Sequence, residues 1–172
     1  MAQLPQEFLT RMQEMLGDEF DAFLTSYDAP RTAGLRVNTK KCRTEDFPPL
    51  VPGTWKKIPW IPNGYFVPDG MRMGQSPLYA AGVFYLQEPS AMTPASRLPI
   101  EPGERVLDLC AAPGGKTFTM AELMNDSGKI ISCDIHPHRV ELIKNGAKRL
   151  TLTNIQCVVN DASIYNNKIG TV

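Results

Sequence analysis

The sequence predicts an α/β fold, with a parallel sheet in residues 101–172 that follows a small α+β region. From residue 101 onward, short apolar segments alternate with helical patterns in the order strand, helix, strand, helix, strand. This alternation is typical of a parallel sheet with right-handed crossover connections. Upstream, helix and strand patterns lack that order and are separated by proline and glycine, which favours an α+β region.

Two short helices are predicted at the start of the N-terminal region, residues 1–75. Apolar side chains, Met15 among them, recur at helical spacing and share one face. Gly17 is placed to end the first helix, and Asp18 is placed to cap the second. We therefore expect a helical pair packed on an apolar core.

Short strands are predicted after the helical pair. Residues 34–39 alternate apolar and polar side chains, which indicates a half-buried strand, and residues 64–67 form the next strand pattern. Residues 76–100 are interpreted as a connecting helical segment that belongs to the following domain. Within this segment, Ser76 precedes a proline and is placed to cap a short helix, while residues 83–86 are strand-like.

Five elements are predicted in residues 101–172. They are strand, helix, strand, helix and strand, at residues 105–109, 115–124, 129–133, 139–150 and 154–159. The second helix carries apolar residues on one face, namely Val140, Ile143, Ala147 and Leu150. We expect this face to pack on the sheet.

Composition narrows the class of protein without identifying it. The 172 residues carry 18 basic and 18 acidic side chains, and 42% of the residues are hydrophobic, as in an ordinary globular protein. No apolar run approaches membrane-spanning length, and the N-terminus does not resemble a signal peptide, so we expect a cytoplasmic protein with no membrane partner.

Charge and cysteine spacing exclude further classes of site. The four cysteines lack zinc-type spacing, and no metal site is expected. Residues 31–75 carry eight basic and three acidic side chains. Such a segment could meet phosphate groups, but charge alone favours a solvated surface.

The most informative segment is the loop that follows the first strand of the parallel sheet. Asp108 ends an apolar strand, and small residues and two glycines then lead into a helix at Gly115. Such a turn exposes backbone N–H groups and a helix N-terminus to a ligand. Asp108, Cys110, Ala112 and Gly114 stand at every second position, and the last three are small enough for close backbone contact.

Three nucleotide-type sites compete for this loop. A P-loop requires a glycine where the chain has Cys110, and a nicotinamide or flavin site requires G-x-G-x-x-G, whereas only Gly114 and Gly115 are present. The remaining hypothesis is an S-adenosylmethionine site, in which the loop approaches the methionine part and the ribose. A nicotinamide-dependent oxidoreductase is kept as a minor alternative.

Two further acids support a ligand that contains ribose and adenine. Asp134 ends the second strand, 20 residues after Gly114, at the spacing that lets an acid reach a ribose diol. Asp161 follows the third strand and could reach the adenine edge. A single acid at such a place is better explained as a turn or helix-cap residue. Three acids at three strand ends favour a ligand crevice.

The segment Asp108-Leu109-Cys110-Ala111-Ala112-Pro113-Gly114-Gly115-Lys116-Thr117 resembles the cofactor motif of the Sun/Nop family of RNA 5-methylcytosine methyltransferases. Residues 85–92 are similar to a second family motif, and residues 36–39 resemble the strand of its RNA-binding region. Within the family, bacterial members that modify 16S ribosomal RNA are the most similar. The resemblance implies cofactor contacts at Asp108, Cys110, Ala111, Ala112, Pro113, Gly114, Gly115, Lys116, Asp134 and Asp161.

The resemblance also implies a fold and a chemistry. Residues 101–172 would be an incomplete, Rossmann-like S-adenosylmethionine-dependent methyltransferase domain, with the first three parallel strands present and the remainder missing. Residues 1–75 would contact RNA. In the family, one cysteine adds to C6 of cytosine, methyl transfer to C5 follows, and a second cysteine assists elimination. None of Cys42, Cys110, Cys133 and Cys157 matches those motifs, so no catalytic residue is assigned.

Two classes of function therefore remain open from the sequence. The first is methyl transfer from S-adenosylmethionine to RNA cytosine, with the 172-residue chain inactive alone because both working cysteines lie elsewhere. The second is a truncated, non-enzymatic fragment that binds RNA or a partner. Ribosomal RNA is the favoured partner, transfer RNA is the alternative, and no DNA is expected.

Overall fold

The first of two units, Met1–Arg31, is a helical pair. Its helices are α1 (Gln6–Leu16) and α2 (Phe20–Ser26), joined by a 3₁₀ turn at Gly17–Glu19. Gly17 ends α1 as predicted, with φ 51° and its N–H donating to the carbonyl of Gln13. The predicted cap at Asp18 is wrong, because Asp18 lies inside the 3₁₀ turn and Glu19 precedes α2. Met15 is 67% exposed and does not join the packed face.

The computed structural model describes residues 4–164 and 166–169. Its second unit, Thr32–Val172, contains two sheets. The first is antiparallel, with strands in the order β2, β3, β1, β4. Its strands are β1 (Gly34–Val37), β2 (Lys56–Lys57), β3 (Gly64–Phe66) and β4 (Phe84–Gln87). The short helices α3 (Phe47–Leu50) and α4 (Pro77–Ala80) lie between these strands in the chain, and α5 (Thr93–Ser96) follows β4 and packs against the next helix. Ser76 caps α4 as predicted, accepting a hydrogen bond from the N–H of Leu78.

The second sheet is parallel and confirms the predicted fold class. Its strands run in the order β5, β6, β7. The elements are β5 (Arg105–Asp108), α6 (Gly115–Leu123), β6 (Lys129–Asp134), α7 (Pro137–Leu150) and β7 (Ile155–Val159). The four predicted apolar residues of α7 are buried. The result is the beginning of a Rossmann-like sheet, with β5 at one edge.

Strand β1 departs from the predicted half-buried pattern. All four of its residues are buried, and Arg36 is only 1% exposed. Its Nε donates to Oε2 of Glu122 on α6 at 2.9 Å, and its NH1 donates to Oε1 of Gln87 at 2.8 Å. Arg36 therefore faces a carboxylate on a helix far along the chain rather than water. The alternation of residue types in β1 does not reveal that partner.

The turn after β1 binds the C-terminal end of α7. Asn38 Nδ2 donates to the carbonyl of Leu150 at 2.8 Å, Lys41 Nζ to that of Arg149 at 2.8 Å, and Lys40 Nζ to that of Thr151 at 3.0 Å. The last carbonyls of a helix lack partners within the helix and carry partial negative charge, so two ammonium groups and an amide stabilise this end.

These contacts use much of the positive charge noted in residues 31–75. Arg36 and Lys40 pair with carboxylates elsewhere in the fold, and Arg43 pairs with Asp46. Lys41 is held by backbone carbonyls. Half of the eight basic residues of this segment therefore have internal partners. The domain boundaries at residues 75 and 100 stay a prediction.

Within the described part of the chain, no helix is long and apolar enough to cross a bilayer.

Asp126 connects the turn after β1 to the segment just before β7. Its carboxylate accepts hydrogen bonds from the N–H groups of Thr153 and Asn154 and from Lys40. Burial alone would raise the pKa of Asp126, but these hydrogen bonds outweigh it and hold the pKa below 3.8. We expect Asp126→Asn, which tolerates the residue's φ of 56°, to lower the free energy of unfolding by about 1–3 kcal/mol at pH 7.

The pH dependence of this loss follows from the sign of the shift. A depressed carboxyl pKa stabilises the fold above the ordinary value of 3.8, and this contribution disappears as pH falls through the lower, folded-state value. Urea unfolding at pH 7 and at pH 3 should therefore show a smaller difference between wild type and variant in acid. The exposed Asp69→Asn serves as the control, and an equal loss at both pH values would exclude this explanation.

Candidate functional site

The three predicted acids lie at the same edge of the parallel sheet, namely the one where its strands end. Asp108 is the last residue of β5 and pairs in register with Ser132 of β6, while Asp134 ends β6 opposite Val159 of β7. The N–H of Asn160, just before Asp161, donates to the carbonyl of Asp134 at 3.0 Å. This edge is formed by the carboxyl ends of the strands, where α/β sheets bind ligands.

A cavity of about 240 Å³ opens at this edge, between the ends of β5, β6 and β7. We name it the acidic cavity, and it is lined by Leu109, Cys110, Asp134, Ile135, Arg139, Asn160, Asp161 and Ala162. It brings together three of the predicted residues, Cys110, Asp134 and Asp161. Ile135, which is 52% exposed, contributes an apolar side chain to the lining.

A second cavity of about 280 Å³ lies along β5. This edge cavity is mostly apolar and is lined by Pro94, Ala95, Leu98, Val106, Leu107, Asp108, Leu109, Lys116 and Met120. Asp108 and Lys116 line this cavity rather than the acidic one. Leu109 lines both cavities, so five of the ten predicted residues border two adjoining spaces, and residues 111–115 line neither.

The loop between β5 and α6 is held by backbone hydrogen bonds and by close packing against its neighbours. Ala111 and Ala112 are buried, and the N–H of Ala111 donates to the carbonyl of Cys133 at 2.8 Å. Gly114 has φ 111°, and a Cβ at this position would lie 2.3 Å from the ring of Phe118. Pro113 is exposed. Small residues are therefore required here by the packing of the loop, independently of any ligand.

Each acid also has partners within the chain. Thr117 Oγ1 donates to Asp108 at 2.7 Å, and Asp134 accepts the N–H of His136 at 3.2 Å. Asp161 accepts the N–H and the hydroxyl of Ser163, and these hydrogen bonds lower the pKa of Asp161. These are the turn and cap roles that the sequence offered as the alternative to ligand binding.

Arg139 is a candidate that the sequence did not single out. Its NH1 lies 3.6 Å from Oδ1 of Asp134, and its NH2 donates to the carbonyl of Ala112 at 3.2 Å. This places a guanidinium beside the acidic cavity, in contact with the loop. The sequence signal for this role is weak. Arg139 lies two residues into a helix that starts at Pro137, where a charged residue is also common on a solvated face.

Three cysteine thiols of the chain are in surroundings that oppose ionisation. Burial raises the pKa of Cys42, of Cys133 and of Cys157. A thiolate nucleophile needs the opposite shift. Cys110 is exposed in the wall of the acidic cavity, and none of the four forms a disulfide.

Gln87, Glu88 and Ser90 belong to the segment that is similar to the second family motif. Oε2 of Glu88 accepts the N–H of Ala91 at 3.0 Å and the hydroxyl of Ser90, which caps the 3₁₀ turn at Ser90–Met92. Gln87 donates to the carbonyl of Ala91 at 2.9 Å. The structure therefore shows that Glu88 caps this turn and that Ser90 donates a hydrogen bond to the capping carboxylate.

Comparison with known protein families accounts for both regions of the chain. Residues 4–89 match the N-terminal domain of 16S rRNA methyltransferase RsmF, and residues 95–172 match 16S rRNA methyltransferase RsmB/F. The chain belongs to the RsmF family of 16S rRNA methyltransferases. This confirms the resemblance to the Sun/Nop methyltransferases. The two matches together cover almost the whole chain.

Individual relatives agree with this assignment. The chain is 34% identical to ribosomal RNA small subunit methyltransferase F of Enterobacter sp. (strain 638) and 35% identical to that of Erwinia tasmaniensis, each over 94% of this chain. It spans 36% of the length of each of these relatives. A crystal structure of a methyltransferase homolog from Pyrococcus horikoshii superposes with a TM-score of 0.78 at 28% identity, over 92% of this chain and 52% of that one.

Proposed function

We propose that this chain holds S-adenosylmethionine for methyl transfer to C5 of cytosine in RNA, with ribosomal RNA as the substrate. The observation that carries the proposal is the acidic cavity, where Asp134 and Asp161 converge with Cys110 at the carboxyl ends of parallel strands. Family membership supports the reaction class, since the matched relatives are ribosomal RNA methyltransferases. Transfer RNA remains the alternative substrate.

The residues present fit this cofactor by their chemistry and by their placement. Asp134 offers a carboxylate for a ribose diol, and Asp161 offers one for the adenine amino group, beside the apolar surface of Ile135. The edge cavity offers the ammonium group of Lys116 for the carboxylate of the methionine part. Because Leu109 lines both cavities, a ligand passing over the loop could occupy them together.

The bound cofactor would supply an electrophilic methyl group on sulfur. The residues of this chain would bind and orient it, with the backbone of residues 110–116 and the first turn of α6 facing its polar groups. Three of the four thiols are disfavoured as nucleophiles by burial. Since none of the four cysteines, Cys110 included, matches the cysteine motifs of the family, we propose that the cysteines that attack the base belong to a segment outside these 172 residues, and we expect no methyl transfer by the chain alone.

Calorimetric titration of the chain with S-adenosylmethionine and with NAD tests the proposal. We expect S-adenosylmethionine to bind and NAD not to bind. Asp134→Asn keeps an acceptor for the N–H of His136 but removes the charge that faces the ribose, so Kd should rise about tenfold.

The exposed Asp18→Asn, in the other unit, is the matched control and should leave Kd unchanged. Binding of NAD alone would contradict the methyltransferase proposal. Binding of neither compound would favour the non-enzymatic fragment. Incorporation of labelled methyl groups into 16S RNA by the chain alone would contradict the assignment of the cysteines to another segment.

A further inference from the structure

A closed chain of contacts ties α6 to the antiparallel sheet at two points. At one end, the side-chain amide of Gln87 lies against Gly115, because a Cβ on Gly115 would be 2.8 Å from Nε2 and 3.1 Å from Cδ of Gln87. At the other end, Glu122 receives Nε of Arg36 at 2.9 Å and NH2 at 3.4 Å. Arg36 also donates to Gln87 at 2.8 Å, which joins the two ends.

The contacts fall on one face of α6. Gly115, Phe118 and Glu122 are spaced by three and four residues and so share a face of the helix. The ring of Phe118 packs edge-on against Tyr85 of β4, with centroids 5.1 Å apart. Each of the three positions therefore contacts a side chain carried by β1 or β4.

The polar side chains in this chain of contacts, those of Gln87 and Asn63, are each held by two partners. Gln87 accepts from Arg36 with Oε1 and donates from Nε2 to the carbonyl of Ala91 at 2.9 Å, so both ends of its amide are used. Asn63 Nδ2 donates to the carbonyl of Val37 at 2.7 Å and lies 3.4 Å from the carboxylate of Glu122. A side chain held this way has one orientation and can fix the position of what it touches.

We infer that Gln87 is a positioning residue for the loop of residues 110–116, acting through Gly115. The inference rests on the proposed cofactor role of that loop. Gly115 opens α6 directly after the loop, and the N–H of Phe118 donates to the carbonyl of Gly114 at 2.8 Å. A shift of Gly115 would move the backbone N–H groups that the ligand meets. Gln87 acts by holding the loop and does not contact the reacting atoms.

Amide hydrogen exchange measured by NMR on the full chain tests this without a ligand. In Gln87→Met, which keeps the volume but loses both hydrogen bonds, we expect the amides of Gly114 and Phe118 to exchange about tenfold faster. The amide of Ile130 in the parallel sheet should exchange at the wild-type rate, which separates a local loosening from a loss of global stability. Gln156→Met, at an exposed position of β7, is the matched control.

A second arm of the experiment uses the close contact itself. Gly115→Ala places a methyl group where the Gln87 amide lies and should displace that side chain, giving the same faster exchange. Both variants act on the same contact, that of the Gln87 side chain with Gly115, so the double variant Gln87→Met/Gly115→Ala should show little more than either single change. Fully additive effects would overturn the inference, as would unchanged exchange of Gly114 in Gln87→Met.

Cofactor affinity supplies the functional readout. If the wild-type chain binds S-adenosylmethionine, Gln87→Met should raise Kd about tenfold, and an unchanged Kd would count against the positioning role. If the wild-type chain binds none, the proposed function fails, while the exchange rates still decide whether Gln87 holds the loop. The two failures are therefore distinguishable.

Discussion

Gly114→Ala should be among the most damaging single substitutions in the chain. The residue has φ 111°, which side chains rarely adopt, and a new Cβ would lie 2.3 Å from Cζ of Phe118. The ring cannot retreat, because Phe118 is fully buried and Gly146 of α7 lies against it as well. Strain and overpacking together predict a loss of about 3–5 kcal/mol in the free energy of unfolding, measured by urea denaturation.

The chain offers a matched control for this experiment. Gly103 has φ 93°, but a Cβ there would meet nothing within 4 Å. Gly103→Ala should therefore show the backbone strain alone, at about 1 kcal/mol. Combining Gly114→Ala with Phe118→Leu should cost less than the sum of the two changes, because the smaller side chain leaves room. Equal losses for Gly114→Ala and Gly103→Ala would show that the ring contact is unimportant.

Arg36→Met is expected to have an effect of similar size. It leaves the carboxylate of Glu122, 6% exposed, without its cation and leaves Gln87 without a donor. Removing one partner of a buried ion pair typically costs about 3–5 kcal/mol, because the remaining charge stays out of water. Urea denaturation of the variant should show a loss in this range.

The double variant Arg36→Met/Glu122→Leu separates the buried charge from the loss of packing. Apolar residues of similar volume often replace a buried pair at little cost, so much of the stability should return. Lys144→Met, which breaks an exposed pair with Glu141 on α7, should leave the midpoint unchanged. If the double variant is no more stable than Arg36→Met, burial of the unpaired carboxylate is not the cause.

The parallel sheet could be predicted from the sequence because its signals are local. Apolar strands and a helix with one apolar face repeat in order, and the buried face of α7 has the predicted residues. The antiparallel sheet was harder to predict. Its strand Lys56–Lys57 has two residues and no apolar pattern, and the buried Arg36 depends on partners far along the chain, such as Glu122, 86 residues away.

The candidate site was predictable in part for the same reason. Strand ends place Asp134 and Asp161 at one edge, and the cavity contains both. The separation of Asp108 and Lys116 into the edge cavity depends on the path of the loop after β5, which residue spacing does not determine. Arg139 was missed because only its contacts with Asp134 and Ala112 distinguish it from other surface arginines.

The turn that caps α7 has a consequence for protein synthesis. Asn38 and its partner carbonyl on Leu150 are 112 residues apart. At elongation speeds of about 5–20 residues per second, roughly 6–22 s pass between their synthesis. During that interval Arg36 of β1 and Asn38 of the following turn, both buried in the finished fold, still wait for partners, because α6 ends only at Leu123 and α7 only at Leu150. We therefore expect this part of the nascent chain to stay accessible to chaperones and proteases until α7 has left the ribosome.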